Sequence, residues 1–328
     1  MAIAGATGAV GVEMLKTLAK RNFPLSTLTL LASPRSIGRK MLFRGQDLPV
    51  RELTKASFDG VDIALFSAGG GISREFAPAA VKAGCVVVDN SSAFRMDDSV
   101  PLVIPEINPE DVKRHNGIIA NPNCTTAVTL MALYPLHQAF SVKRIFASSY
   151  QAVSGTGAKA IDELQRQVEQ IVNGETVTKE VYPHQIAFNV LPHVDSFLSD
   201  GYTKEEMKMQ NEGRKIMHHP NFLASVTCVR VPVYRAHSVA VSAEFEKTVT
   251  VDAARAVLSK APGLDLVDAP EKNEYPLPLY AAEKYNCQVG RVRKDCALEN
   301  GLSFWVSGDQ LLKGAALNAV QIAEELIR

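Results

Sequence analysis

Asn121-Pro122-Asn123-Cys124-Thr125-Thr126 is the most chemically loaded stretch of the chain. It follows the apolar run Gly117-Ile118-Ile119-Ala120 and precedes the helical run Ala127 to His137, so Cys124 is predicted near a helix N-terminus. A thiol there meets the positive end of the helix dipole, which favours the thiolate, and nearby backbone N–H groups can hold an oxyanion. The chemistry this predicts is nucleophilic attack on a carbonyl; buried packing is the alternative open to any cysteine. The second such stretch is Gly5-Ala6-Thr7-Gly8-Ala9-Val10-Gly11. Met1 to Ala4 reads as the end of a strand, and Val10 to Lys20 carries helical apolar spacing at Val10, Met14, Leu15 and Leu18. Strand, glycine turn and helix in that order aim backbone N–H groups at a pyrophosphate, the fingerprint of a dinucleotide site. A tight turn for close helix packing is the other use of the same glycines.

The elements that must hold these groups fall into two grammars. Up to Thr125, short apolar runs (Leu28 to Ala32, Ile63 to Phe66, Val86 to Asp89, Ile118 to Ala120) alternate with helical patterns such as Ser73 to Lys82. That alternation predicts a parallel sheet of βαβ units. Beyond it come longer alternating strands (Arg144 to Tyr150, Ser225 to Val233, Val239 to Phe245) and two charged helices, Lys159 to Val172 and Lys204 to Ile216. These predict a separate α+β domain with a mostly antiparallel sheet. The strongly apolar helix Leu311 to Ile327 is expected to pack back on the first domain. The fold class is therefore α/β, with residues 1–125 plus 309–328 as a Rossmann-type dinucleotide-binding domain and 126–308 as the second domain. The first strand reads short, which carries the expectation of further residues ahead of Met1.

Length and composition agree with this division. The 328 residues suit two domains, and 46% apolar with 21% charged residues describes an ordinary globular chain. Lys+Arg and Asp+Glu both number 35, so no basic footprint exists for a nucleic-acid or membrane-surface partner. No apolar run approaches about eighteen residues, and no charged-then-apolar leader precedes Gly5. The five cysteines are scattered without CxxC pairs, which predicts reduced thiols, a cytoplasmic enzyme and no metal centre.

An NAD site usually ends its second strand with a carboxylate for the ribose hydroxyl. Here Leu28-Thr29-Leu30-Leu31 runs into Ala32-Ser33-Pro34-Arg35-Ser36, followed by Arg39-Lys40, with no acidic residue. A guanidinium between two hydroxyls suits a ribose 2′-phosphate, so the expected cofactor is NADP. Solvated loop charges are the alternative for Arg35 and Arg39.

At Cys124 these stretches join a longer pattern, and the chain resembles the aspartate-semialdehyde dehydrogenase family along nearly its whole length. Besides residues 5–11, 33–36 and 121–126, the resemblance rests on Ser67-Ala-Gly-Gly-Gly71, Asn90-Ser-Ser-Ala-Phe-Arg95, Ser149-Tyr-Gln151-Ala-Val-Ser-Gly155, Arg230-Val-Pro-Val-Tyr-Arg-Ala-His237-Ser and Gly308-Asp-Gln-Leu-Leu-Lys-Gly314. It implies reversible, NADPH-linked reductive dephosphorylation of L-aspartyl 4-phosphate to L-aspartate 4-semialdehyde, a step toward lysine, threonine and methionine. It further implies a homodimer or dimer of dimers whose second domain is catalytic and dimerising. By resemblance Cys124 forms an acyl-thioester, His237 takes the thiol proton and shuttles protons, and Gln151 lies against substrate. Arg230 would bind the substrate carboxylate, Glu205 its ammonium, and Lys208, Arg95 and Asn123 the phosphoryl group. Gly5, Thr7, Gly8, Ala9, Val10, Gly11, Ser33, Arg35, Ser36, Ser67, Ser154, Gly155 and Gln310 would bind the cofactor.

Two choices stay open in the residues themselves. Arg230 and His237 are seven apart, so on one regular strand they would face opposite sides. Either a bend near Pro232 intervenes or Arg235 is the carboxylate ligand. Glu205 is preferred to Glu206 only because three residues separate it from Lys208, a spacing that an ordinary helical ion pair also uses. The competing readings are N-acetyl-γ-glutamyl-phosphate reductase, whose cysteine has a Gly-Cys-Tyr-Pro-Thr setting, and a non-catalytic dinucleotide-binding relative.

Overall fold

In β1 (Ala2–Ala4), Ile3 faces one side of the sheet while Ala2 and Ala4 face the other, and all three are fully buried. The computed structural model describes residues 1–328 and divides into two units, Met1–Asn123 with Ala315–Arg328, and Cys124–Gly314. After β1 the first unit runs α1 (Ala9–Lys20), β2 (Thr29–Ala32), β3 (Lys40–Phe43), β4 (Gln46–Glu52), β5 (Ile63–Phe66), α2 (Gly70–Lys82), β6 (Val86–Asp89) and β7 (Ile118–Ala120). Its seven-stranded sheet has the order β3-β4-β2-β1-β5-β6-β7, parallel throughout except for the β3–β4 hairpin. Both faces are apolar, as a parallel sheet covered on two sides requires. Ile3, Leu30, Leu65 and Val88 meet Met14, Leu15 and Leu18 of α1, whereas Leu31, Ala64, Phe66 and Val87 meet Ala77 and Ala80 of α2. The β3–β4 hairpin escaped the sequence pattern because its strands are largely exposed. Its turn is legible afterwards, with Arg44 at φ +48° and Gly45 at φ +81°.

The second unit opens with α3 (Cys124–Phe140), buried almost all round through its first ten residues, then β8 (Val142–Gln151), α4 (Ala158–Val172) and α5 (Lys204–Ile216). There follow β9 (Leu223–Arg230), β10 (His237–Phe245), α6 (Val251–Leu258), β11 (Leu264–Leu266), α7 (Pro278–Ala281), β12 (Cys287–Lys294) and β13 (Gly301–Gly308). The six-stranded sheet has the order β11-β12-β13-β10-β8-β9, parallel at β11–β12 and β8–β9 and antiparallel between. Helices α3, α5 and α6 cover one face. On the other, Phe146, Tyr150 and Leu223 are exposed beside a hollow of about 390 Å³ lined by Ser148, Ser225, Thr227 and Arg293. β12 and β13 carried little sequence signal because Gly290, Gly301, Ser303, Ser307 and Gly308 interrupt their apolar pattern.

The chain returns to the first unit through a π-helical turn, Leu312–Ala316, and α8 (Leu317–Leu326), where a single helix from Leu311 was expected. Asp309 starts this segment by accepting the N–H groups of Leu311 and Leu312 at Oδ1. Ala316, Ala319, Val320, Ile322 and Ala323 join the cluster of α1, and Arg21 grips Glu324 through two bonds of 2.7 and 2.6 Å. Asn318, fully buried, donates to the carbonyl of Val103 at 2.9 Å and to Oδ1 of Asn121 at 2.6 Å. Asn318→Ala strands both acceptors in the core, so it should lower stability by about 1–3 kcal/mol. Urea unfolding followed by circular dichroism measures this; an unchanged midpoint would show that the amide carries no such weight.

Candidate active site

Four neighbouring strands bring their ends together at one end of the six-stranded sheet. Register pairs Gln151 of β8 with Arg230 of β9, Tyr150 of β8 with Ser238 of β10, and His237 of β10 with Gly308 of β13. The strand expected to reach Val233 stops at Arg230, and His237 begins the next one. Arg230 and His237 therefore sit on different strands with β8 between them, which removes the facing problem. The connection between them re-enters the sheet through Ala236, a left-handed residue at φ +72° whose N–H donates to Oε1 of Gln310 at 2.8 Å. Such a backbone costs a non-glycine residue on the order of 1–2 kcal/mol, and the Gln310 bond helps hold it.

Ala152, which follows Gln151, fastens two of these side chains with its own backbone. Its N–H donates to Nδ1 of His237 at 3.1 Å, and its carbonyl accepts from Nη1 of Arg230 at 2.7 Å. A backbone N–H can only donate, so Nδ1 is the acceptor and the neutral ring carries its proton on Nε2. Burial first, and then the charge of Arg230, hold His237 well below its ordinary 6.5. Nε2 of His237 and Nε of Arg230 are both buried without a hydrogen-bond partner. Two orphaned donors side by side call for an acceptor from outside the chain. Gly155 lies against both: a Cβ on it would stand 3.0 Å from Cε1 of His237 and 3.1 Å from Nη1 of Arg230.

The two acidic neighbours on α5 part company. Glu206 accepts the N–H groups of Thr203 at 2.7 Å and Cys228 at 2.9 Å, closing a capping box at the helix start. Glu205 instead accepts from Nε2 of Gln151 at 3.2 Å and from Nζ of Lys208 at 2.7 Å. Lys208 also donates to Asp195 at 3.0 Å. Burial works against its charge, but Glu205 and Asp195 outweigh that and leave the ammonium raised above its usual range. The two arginines divide likewise. Arg235 donates from Nε to the buried Asp309 at 2.6 Å, whereas Nε of Arg230 is the orphan. Gln310 and Ser154, both expected at the cofactor, are hydrogen-bonded to each other. Ala152 and Asp309 are the contributors the residue pattern missed; Ala152 acts through its backbone alone, which no side-chain motif reveals.

Cys124 opens α3 and is half-buried. A Cβ on Gly314 would stand 2.7 Å from Cβ of Cys124, so glycine lets the later segment cross here. One turn on, Val128 packs against Gly308, the register partner of His237; a Cβ there would lie 2.9 Å from Val128 Cγ2. The first turn of α3 thus lies over the strand ends that carry the imidazole. No cysteine forms a disulfide. Burial pushes the thiols of Cys85 and Cys228 up to about 12, which keeps both protonated.

In the first unit, β1 lies where the strand order reverses, the usual place for a dinucleotide. Gly5 takes φ +87°, and a Cβ on it would lie 2.5 Å from the carbonyl oxygen of Ser67; one on Gly11 would lie 2.2 Å from that of Gly5. Gly8 caps α1 without a side-chain bond, leaving Ala9, Val10 and Gly11 as a first turn with no acidic residue. Thr7 and Ser36 share a hydroxyl contact of 3.3 Å, which ties the glycine turn to the loop of Ser33 and exposed Arg35. Backbone donors, hydroxyls and a guanidinium without a carboxylate fit a phosphorylated dinucleotide. Arg95 donates to the carbonyls of Asn121 at 2.8 Å and Asn90 at 3.1 Å, and Asn123 is buried immediately before Cys124.

Residues 1–115 match a family model described as semialdehyde dehydrogenase, NAD binding domain, and residues 133–313 match one described as semialdehyde dehydrogenase, dimerisation domain. The chain is 54% identical to an aspartate-semialdehyde dehydrogenase of Aquifex aeolicus, across 100% of this chain and 98% of that relative. To the Bacillus subtilis protein of the same name it is 51% identical, across 99% and 96%. It superposes with a TM-score of 0.97, at 44% identity, on the crystal structure of aspartate semialdehyde dehydrogenase II from Vibrio cholerae complexed with ASA, covering 100% and 97% of the two chains.

The space kept open at Gly155 gives a direct test. Gly155→Ala should fold normally yet lose about a hundredfold in kcat/KM, because the new methyl displaces His237 and Arg230. Steady-state kinetics beside a thermal melt separate the two effects, and full activity in a folded variant would refute the geometry.

Proposed function

This chain belongs to the aspartate-semialdehyde dehydrogenase family, and we propose that the end of its six-stranded sheet carries the family's reaction through Cys124, His237, Gln151, Arg230 and Glu205. The reaction is reductive dephosphorylation of L-aspartyl 4-phosphate to L-aspartate 4-semialdehyde, and it is reversible. The observation that carries the assignment is the pair of orphaned buried donors, Nε2 of His237 and Nε of Arg230, beside a Gln151–Glu205 pair.

The substrate's α-carboxylate supplies the acceptor that Arg230 lacks, in a charge-assisted contact. Glu205, with one oxygen on Gln151, supplies negative charge for the ammonium. Cys124, its thiol proton given up to solvent, attacks the acyl carbonyl as thiolate; the bond to phosphate breaks, phosphate leaves with the electron pair, and a thioester forms on Cys124. The bound nicotinamide cofactor supplies the hydride in this direction and takes it in the other. After reduction the carbon–sulfur bond breaks, releasing aldehyde and returning the electron pair to sulfur. His237 serves both sulfur and oxyanion from Nε2, where its proton lies, and it begins as donor because Nδ1 is engaged by Ala152. Backbone N–H groups at the start of α3 stabilise the oxyanion.

We assign NADP rather than NAD, on the strength of Arg35 between Ser33 and Ser36 with no carboxylate after β2. We also assign a homodimer, supported by the exposed sheet face of Phe146, Tyr150 and Leu223 in the region matching a dimerisation domain.

Phosphate-dependent reduction of NADP by L-aspartate 4-semialdehyde, with N-acetylglutamate semialdehyde and NAD as comparators, tests the reading. Turnover should be confined to the first pairing, and Cys124→Ser should abolish it while leaving NADP binding measurable by fluorescence. Retained turnover in that variant would dismiss Cys124 as nucleophile. The pH dependence follows from His237. Its depressed pKa keeps the ring neutral, so the acid limb of kcat/KM should fall below pH 6.5 and activity drop only as protonation of Nδ1 breaks the Ala152 bond. A limb centred above 6.5 would contradict this.

A further inference from the structure

Arg230 has a neighbour to which the reaction as described gives no part. The ring of Tyr182 lies 5.9 Å from the guanidinium carbon, within cation–π range. The Tyr182 hydroxyl donates to Oγ1 of Thr156 at 3.0 Å and lies 3.4 Å from the carbonyl of Val153, flanking the Ser154-Gly155 turn. One side chain thus ties that turn to the arginine.

What places Tyr182 is unusual. The segment between α4 and α5 forms no helix and only isolated bridges, so its backbone needs partners elsewhere. Glu163 of α4, fully buried, supplies them. Its carboxylate accepts three successive N–H groups, from Glu180 at 2.7 Å, Val181 at 2.5 Å and Tyr182 at 3.3 Å. One turn further, Gln167 accepts from Ile186 at 2.9 Å and Ala187 at 3.1 Å and donates to the carbonyl of Thr178 at 3.0 Å. Leu191 then exchanges two backbone bonds with Arg230, of 2.9 and 2.8 Å. The segment reaches Arg230 twice, by the Tyr182 ring and by the Leu191 backbone. Gln167 also donates to Glu163 at 3.3 Å and Arg166 lies 3.9 Å away, beside an apolar cluster that includes Val153, Ala160, Leu164 and Ile186. What a carboxylate adds is the register of residues 180–182.

We propose that Tyr182 is a positioning and specificity-determining residue, whose ring steadies the Arg230 guanidinium while the Ala152 carbonyl takes Nη1 and Nε is left for the substrate's α-carboxylate, and that Glu163 positions Tyr182. The proposal rests on the assignment of Arg230 to that carboxylate. Its signature is a loss confined to substrates that bear the carboxylate.

The test compares L-aspartate 4-semialdehyde with 3-aminopropanal, the same aldehyde without the carboxylate, in the phosphate-dependent direction. Tyr182→Leu should raise KM for the first about tenfold. kcat should stay within about twofold, and the KM for phosphate and kcat/KM for the second should not change. Tyr182→Phe keeps the ring and should keep the discrimination, which covers the case in which the leucine variant fails to fold. Glu163→Gln should move in the same direction as Tyr182→Leu. Equal losses on both aldehydes would mark a merely structural role and overturn the proposal, as would lost discrimination in Tyr182→Phe. Arg230→Leu is the control. If it leaves discrimination intact, the Arg230 assignment fails; if it erases discrimination while Tyr182→Leu does not, only the present proposal fails.

Discussion

The backbone of Ala152 is bonded at both ends to side chains of the candidate site, its N–H to His237 and its carbonyl to Arg230. Much of the surrounding architecture serves that arrangement. The two side chains can share one residue only because β8 lies between the strands that carry them, and because β9 ends where β10 begins. The turn between those strands needs a left-handed residue, and Gln310 supports it from the segment after β13. Gly155 lets the chain pass close to both, since a Cβ there would press on the His237 ring and on Nη1 of Arg230. With backbone partners fixed, one nitrogen on each side chain is left over. Nε2 of His237 and Nε of Arg230 are that remainder.

Electrostatics follow the same logic of saturation. Three buried acids that build the scaffold are well supplied: Asp309 by Arg235 and the N–H groups of Glu283, Leu311 and Leu312, Glu206 by its capping box, Glu163 by three backbone amides. Leaving any of them unpaired would cost several kcal/mol in so dry an interior. His237 and Arg230 depart from this saturation. Burial first, and then the charge of Arg230, keep the imidazole neutral. The two side chains are thereby linked through one residue's backbone and one charge.

In the first unit, β1, β5, β6 and β7 were legible because each is an apolar run bounded by turn residues, and Gly5 to Gly11 because strand, turn and helix are contiguous. The β3–β4 hairpin and the β12–β13 pair were not. Exposure of the hairpin's residues and the glycines and serines of β12 and β13 erase the alternation from which a strand is read. The single helix expected from Leu311 begins instead with a π turn at Gly314, where Cys124 comes against it, and Cys124 lies nearly two hundred residues earlier in the chain.

By itself the sequence determined the residue types, the order of the motifs and the local period of most elements, since these depend on neighbours within a turn or a strand. Only the tertiary structure gives Glu205 and Glu206, Arg230 and Arg235, and the two nitrogens of His237 their different hydrogen-bond partners. Each difference depends on which backbone amide or distant side chain has already taken the competing group. The Cys228 N–H takes Glu206, Asp309 takes Arg235, and Ala152 takes Nδ1. Those partners arrive through strand register and chain reversal over tens of residues, and no local pattern encodes them.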